Sequence, residues 1–436
     1  MDPFSPLPAL AAILAAVCTA FAISRLYGAP PSQGRFASID GLRGYLAFFV
    51  FLHHASIWYG YLKTGIWEAP PSPLYAHFGG SSVALFFMIT GFLFFSKLLE
   101  GRKTPIDWGK LFVGRLLRLT PLYFFAVFLL FLVVTALSHA RLQEPLANVL
   151  LQATQWIGFT VTGKPNVNGV HDTSIILAGV TWSLPYEWLY YLSLPLLALL
   201  VGVIPPLPYF ALGLLSRVWL ALWQPPGAYL LCFLGGMAAA ILVRWERFRR
   251  FSGHPLASVF VLACIGTTFT MFSYTYGRIP LLLLFLAFSL IAAGNTLFGA
   301  LTHAVSRTLG EYAYSLYLLH GITLFVVFHF VIGTAAAKAF LPETHWLVVV
   351  AITPFMVCLC ALTFRFIEKP PMQKVAAATA WLRSRCQTLV SSSPVDGAGQ
   401  PSGQHDQAEG DAVPGKHHKV VRGDVAQQPA DAQPGA

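Results

Sequence analysis

The chain has 436 residues, of which 56% are hydrophobic and only 11% charged, and its mean hydropathy is +0.64. That balance excludes a soluble globular domain and points to a protein that crosses a membrane many times. A net charge of +10 would suggest nucleic acid in a soluble chain, but here Lys and Arg gather between apolar runs, where they report topology, so no nucleic-acid partner is implied.

In chain order, apolar stretches long enough to span a bilayer fall near 7–25, 42–60, 82–99, 118–137, 181–203, 207–223, 227–243, 255–273, 280–299, 309–332 and 346–366. They predict an all-α, polytopic membrane helical bundle with about 11 transmembrane helices. The opening Met1-Asp2-Pro3-Phe4 carries an acid and no Lys or Arg ahead of the first run, which reads as a retained helix and not a cleaved signal peptide. Three parts follow: an extra N-terminal helix and linker (1–34), a membrane core (35–375) and a tail (376–436). The tail turns to Ser, Pro, Gly, Gln, Asp and Ala and is expected to be largely disordered. Its basic group Lys416, His417, His418, Lys419 and Arg422 reads as solvated.

Loop charges set the orientation. Arg25, Arg35 and Arg43, then Lys97 to Arg118, then Arg244 to Arg250, then Arg307, then Arg365 to Lys374 fall on one face, which the positive-inside rule makes cytoplasmic. The N-terminus is then outside and the C-terminus inside. A long outer segment, 138–180, contains a moderately apolar piece, 146–161, read as interfacial or re-entrant because a full span there would invert every later loop. The six cysteines show no metal-ligand or paired-loop spacing, so neither a metal nor a disulfide is expected.

Arg43 and His54 are ionisable groups in a helix that lipid would otherwise keep apolar. Eleven steps of about 100° make roughly three turns and about 16 Å of rise, so both lie on one helix face, the arginine near a membrane surface and the imidazole near its middle. A neutral imidazole there can take a proton from a hydroxyl if a polar cavity reaches it. The adjacent His53 reads as a hydrogen-bonded packing residue.

The run Asp40-Gly41-Leu42-Arg43-Gly44, with ten residues between Arg43 and His54, resembles the first-helix signature of the acyltransferase-3 family of bacterial integral membrane acyltransferases. Further matches follow in order: Gly79 to Leu93, with Thr90 where the family usually has serine; Phe112 to Tyr123, containing Arg115 and Arg118; Thr181-Trp182-Ser183-Leu184-Pro185-Tyr186-Glu187; Leu309 to His320; and Phe366-Ile367-Glu368-Lys369-Pro370. The resemblance covers 38–370 and gives a ten-helix core with one helix in front.

The resemblance implies transfer of an acyl group, commonly acetyl, from cytoplasmic acyl-CoA to a hydroxyl of a surface or exported glycan such as lipopolysaccharide O-antigen or an exopolysaccharide, at the bacterial inner membrane. Arg43, Arg115 and Arg118 are then the ligands of the coenzyme A phosphates, with membrane anchoring as the plainer role of the last two. His54 is the meeting point of donor and acceptor, as general base or transient acyl carrier. Glu187 orients an imidazole or binds sugar hydroxyls. Trp182, Ser183, His320 and Trp67 are the candidate acceptor contacts, while Glu311, Ser315 and Tyr317 read as helix-packing residues and Glu368 as a structural closure. A transporter or flippase, or an acyltransferase for a small-molecule or lipid acceptor, are the competing readings. A separate periplasmic protein is a possible further partner, beside the membrane lipid itself.

Overall fold

The computed structural model describes residues 2–31 and 36–391. Its elements are α1 (Pro6–Tyr27), α2 (Ala37–Thr64), α3 (Pro73–Glu100), α4 (Trp108–Leu137), α5 (Leu146–Ile157), α6 (Leu184–Leu200), α7 (Leu207–Trp223), α8 (Gly227–Leu242), α9 (Glu246–Ser252), α10 (Pro255–Met271), α11 (Arg278–Ala292), α12 (Ala304–Glu311), α13 (Ala313–Val326), α14 (Thr334–Lys338), α15 (Pro342–Thr363), α16 (Lys369–Gln373) and α17 (Val375–Ser391). Among the described residues there is no β-strand, and the all-α bundle stands. Residues 2–31 and 36–384 hold the compact bundle, and of the second unit, 385–436, the described part is the end of α17. Residues 376–391 are thus helical, whereas the rest of the expected disordered tail, with its basic group, lies outside the described residues.

Each of the eleven apolar stretches contains a helix, although the stretch 309–332 runs across the break between α12 and α13, that at 280–299 is helical only to 292, and hydropathy misplaced several starts. α3 begins at Pro73 and α4 at Trp108, well before the apolar runs at 82 and 118. Burial explains the first: Tyr75, His77, Gly79, Ser81 and Ser82 of α3 face protein, so polarity there does not end the helix. The second starts at a cap, since Asp107 accepts the Lys110 amide at 2.9 Å, and so Arg115 and Arg118 sit within a helix and not in a loop. Proline in the first turn opens α3, α6, α7, α10 and α15, where its missing amide proton costs nothing.

Among the described residues, five helices are long and apolar enough to cross a membrane, or six if the bent α8–α9 pair is one span, and α7, α10 and α11 are shorter apolar helices. α2 is 28 residues long and carries Asp40, Arg43, His53, His54 and Lys63, which lowers its hydropathy. Its polarity marks the centre of the protein.

Without a hydrophobic force between helices in lipid, close approach over small residues drives their association. At the α2–α12 crossing a Cβ on Gly310 would lie 1.9 Å from the Asp40 carbonyl oxygen, and one on Gly44 would lie 2.5 Å from the Gly310 nitrogen. Several motif glycines therefore serve backbone contact.

The 138–180 segment is ordered by polar bonds. Glu144 accepts from the Gly169 amide (2.7 Å) and from Gln152 Nε2 (2.7 Å), and Asn168 Nδ2 donates to the Arg141 carbonyl (2.8 Å). α5 presents Leu146, Leu150, Leu151 and Ile157 outward while Trp156 is buried and donates to Pro165 O at 3.0 Å. Such one-sided apolarity belongs to a helix lying along a membrane surface.

Candidate active site

α2 packs against α3 and α13, and α13 in turn packs against the turns of the 173–183 segment. Two cavities result. The first, of about 390 Å³, is lined by Arg43 of α2, Arg115 and Arg118 of α4, and Ser183, Glu187 and Tyr191. The second, of about 260 Å³, is lined by His53 and His54 of α2, Gly79 and Gly80 of α3, and Trp182 and Tyr276. Val83 and Tyr317 line both, so the cavities lie back to back along the Arg43–His54 face of α2.

In the first cavity cations outnumber anions. Arg118 Nη1 contacts Met372 Sδ at 3.2 Å, Arg115 lies over the Phe94 ring at 4.9 Å, and Arg43 reaches Asp40 only at 4.0 Å. Glu187 is the carboxylate among the described lining residues, and it accepts from the Tyr191 hydroxyl at 2.7 Å. Glu368, fully buried behind this cavity in a π-helical turn, accepts from Ser315 Oγ, leaving its Oε2 without a partner. Three guanidinium groups around one carboxylate make a site for a multiply charged anion, and their planar donors suit phosphate oxygens.

In the second cavity, hydrogen bonds fix which imidazole nitrogens carry protons. His320 Nδ1 lies 2.9 Å from the Leu316 carbonyl, His54 Nδ1 lies 3.0 Å from the Val50 carbonyl, and His320 Nε2 lies 3.0 Å from His54 Nδ1. Carbonyls only accept, so in neutral rings both Nδ1 atoms carry the proton. His54 Nδ1–H is then shared between Val50 O and the bare Nε2 of His320. What remains is His54 Nε2, an unprotonated lone pair. Trp67 stacks on the same ring, with centroids 6.2 Å apart and planes 16° from parallel. His53 donates from Nδ1 to Tyr75 O at 2.7 Å and packs where a Gly79 Cβ would come 2.5 Å from its ring.

The structure sorts the sequence candidates into these two places. Arg43, Arg115, Arg118, Ser183 and Glu187 meet at the first cavity; His54 and Trp182 meet at the second, whereas His320 and Trp67, expected as acceptor contacts, do not line it: His320 is bonded to the His54 ring and Trp67 is stacked with it. Glu187 does not orient an imidazole: it belongs to the arginine group, and the group bonded to His54 is His320. His53, read as packing, lines the second cavity as well as packing. Tyr317, also read as packing, stands between the cavities. Its position one turn before His320 was the available signal, since residues three apart share a helix face.

The fold and site define a class: a multi-pass, all-helical membrane protein with an arginine-lined chamber set against a buried imidazole pair. A family model described as an acyltransferase domain (Acyl_transf_3) matches residues 36–365, so the chain belongs to that family and is a membrane acyltransferase. That membership favours acyl transfer over the transporter reading, and the match leaves α1 and the chain after 365 outside it. No curated protein and no solved structure matches the chain.

Proposed function

We propose that the protein transfers an acyl group, acetyl in the simplest case, from acyl-CoA to a hydroxyl of a glycan or lipid-linked sugar at the opposite face of the cytoplasmic membrane. The observation that carries this reading is the placement of a three-arginine chamber back to back with a histidine whose Nε2 is free to accept a proton. Arg43, Arg115 and Arg118 bind the donor's phosphates, and the Glu187 carboxylate among them offsets part of their mutual repulsion. Trp182, with an indole face in the imidazole cavity, offers a surface for a pyranose ring.

The acceptor oxygen attacks the thioester carbonyl while its proton passes to His54 Nε2; the C–S bond then breaks and the departing sulfur takes that proton from the imidazolium. The Val50 carbonyl and the acceptor nitrogen of His320 together keep the His54 proton on Nδ1. The positive-inside pattern of the loops supports an arginine chamber open to the cytoplasmic side, where acyl-CoA is made, and an imidazole cavity toward the outside. Membranes supplied with radiolabelled acetyl-CoA test the reading. Label should reach surface polysaccharide with the wild type and vanish with His54→Ala at equal protein level; undiminished labelling by that variant removes His54 from the chemistry.

A further inference from the structure

Two side chains, Val83 and Tyr317, line both cavities, and of these only the Tyr317 phenol makes hydrogen bonds along the wall between them. Tyr317 donates to the Val180 carbonyl at 3.1 Å, and its oxygen lies 2.9 Å from Ser183 Oγ. With its single proton on Val180 O, the phenol accepts from Ser183. Ser183 lines the arginine side and Val180 the imidazole side, so these bonds run along the partition itself. The segment they hold is not relaxed: Ala178 has φ +51° and Gly179 φ +69°, and for alanine that left-handed conformation crowds its Cβ. Gly321 of α13 seats the same segment, since a Cβ there would lie 2.4 Å from the Leu177 carbonyl carbon. One helix thus holds the partition shut through Tyr317 and Gly321 and positions the base through His320.

We propose that Tyr317 is a latch between the donor and acceptor chambers, whose phenol leaves Val180 and Ser183 when an acceptor hydroxyl takes up the Val180 carbonyl. This rests on the acyl-transfer reading above. While the latch is closed the thioester stays on the arginine side, away from His54 and from the water of the second cavity. Once it opens, the carbonyl meets His54 together with the acceptor. Tyr317 is a positioning residue that makes transfer depend on acceptor; it touches no reacting atom. Without it, water takes the acceptor's place: a water oxygen bonds to the carbonyl carbon, its proton goes to His54 Nε2, the C–S bond breaks, and the products are acetate and the thiol of coenzyme A.

The test uses the full chain in lipid nanodiscs with acetyl-CoA and no acceptor. Thiol release and acetyl-CoA affinity are measured for wild type, Tyr317→Phe, Tyr317→Ala and the double variant Tyr317→Ala/His54→Ala. Removing the latch should raise acceptor-free thiol release about tenfold, because closure is what excludes water. Tyr317→Phe, which keeps the ring volume, should show the rise at unchanged affinity, and the double variant should return to the wild-type level. Release at or below the wild-type level in both single variants, with affinity retained, overturns the latch. Loss of affinity in both single variants overturns it too, by making Tyr317 part of the donor site or of the fold. Failure of the wild type to bind acetyl-CoA overturns the donor reading, and the latch with it.

Discussion

The arginine chamber and the imidazole cavity share a wall and differ in almost every other respect. The first gathers three full charges from two helices with few direct partners, whereas the second is built from neutral rings whose protons are fixed by backbone carbonyls. Charge left unpaired is useful for holding an anion, because the ligand supplies the missing partner. A base must instead be uncharged and have one lone pair free, which the i−4 carbonyls of two helices secure. The difference teaches that binding and chemistry are separable here, and substitutions should show it.

The sharpest division is expected at His54 and His320. His54→Ala should lower transfer by about 100-fold to 10,000-fold, the range for a lost general base, with acyl-CoA affinity unchanged in a direct binding measurement. A parallel loss of donor affinity would merge the two regions into one.

His320→Ala removes one of the two acceptors of the His54 Nδ1 proton and leaves the Val50 carbonyl, so kcat should fall about tenfold, the worth of one lost hydrogen bond. His320→Gln can place an amide oxygen near the Nε2 position and should recover part of that loss. Equal rates for the two variants would show that His320 serves packing alone.

On the other side, Arg43→Lys should weaken coenzyme A binding about tenfold while sparing turnover at saturating donor, because a point charge cannot reproduce a planar fork on phosphate. Equal affinities in titration calorimetry would leave Arg43 a structural role.

The smallest effect on chemistry, and a clear one on stability, is expected at the α2–α12 crossing that supports both regions. Gly310→Ala would force the Asp40 backbone away and should cost about 1–3 kcal/mol, seen as a lower thermal midpoint in detergent with donor affinity per folded molecule retained.

Much of this was legible in the chain. The hydropathy pattern carried the eleven helical stretches, and the ordered motifs carried the family, because apolar length and motif spacing are local properties of sequence. Helix starts were less legible. A polar residue facing protein and one facing water look alike in a hydropathy profile, so the first turns of α3 were missed. The same ambiguity hid Tyr317, whose hydroxyl means packing or partition according to what lies across from it.

The sequence by itself determined the helical membrane class, the basic clusters and the spacing of Arg43 and His54 on one face, all consequences of composition and helical period. Only the tertiary structure decided that Glu187 joins the arginines, that His320 is bonded to His54, and that Tyr317 divides two cavities. These are contacts between residues far apart in the chain, here across 266 positions for the imidazole pair. Such contacts depend on how close backbones come at glycines such as Gly310 and Gly321, and neither hydropathy nor helical period encodes that distance.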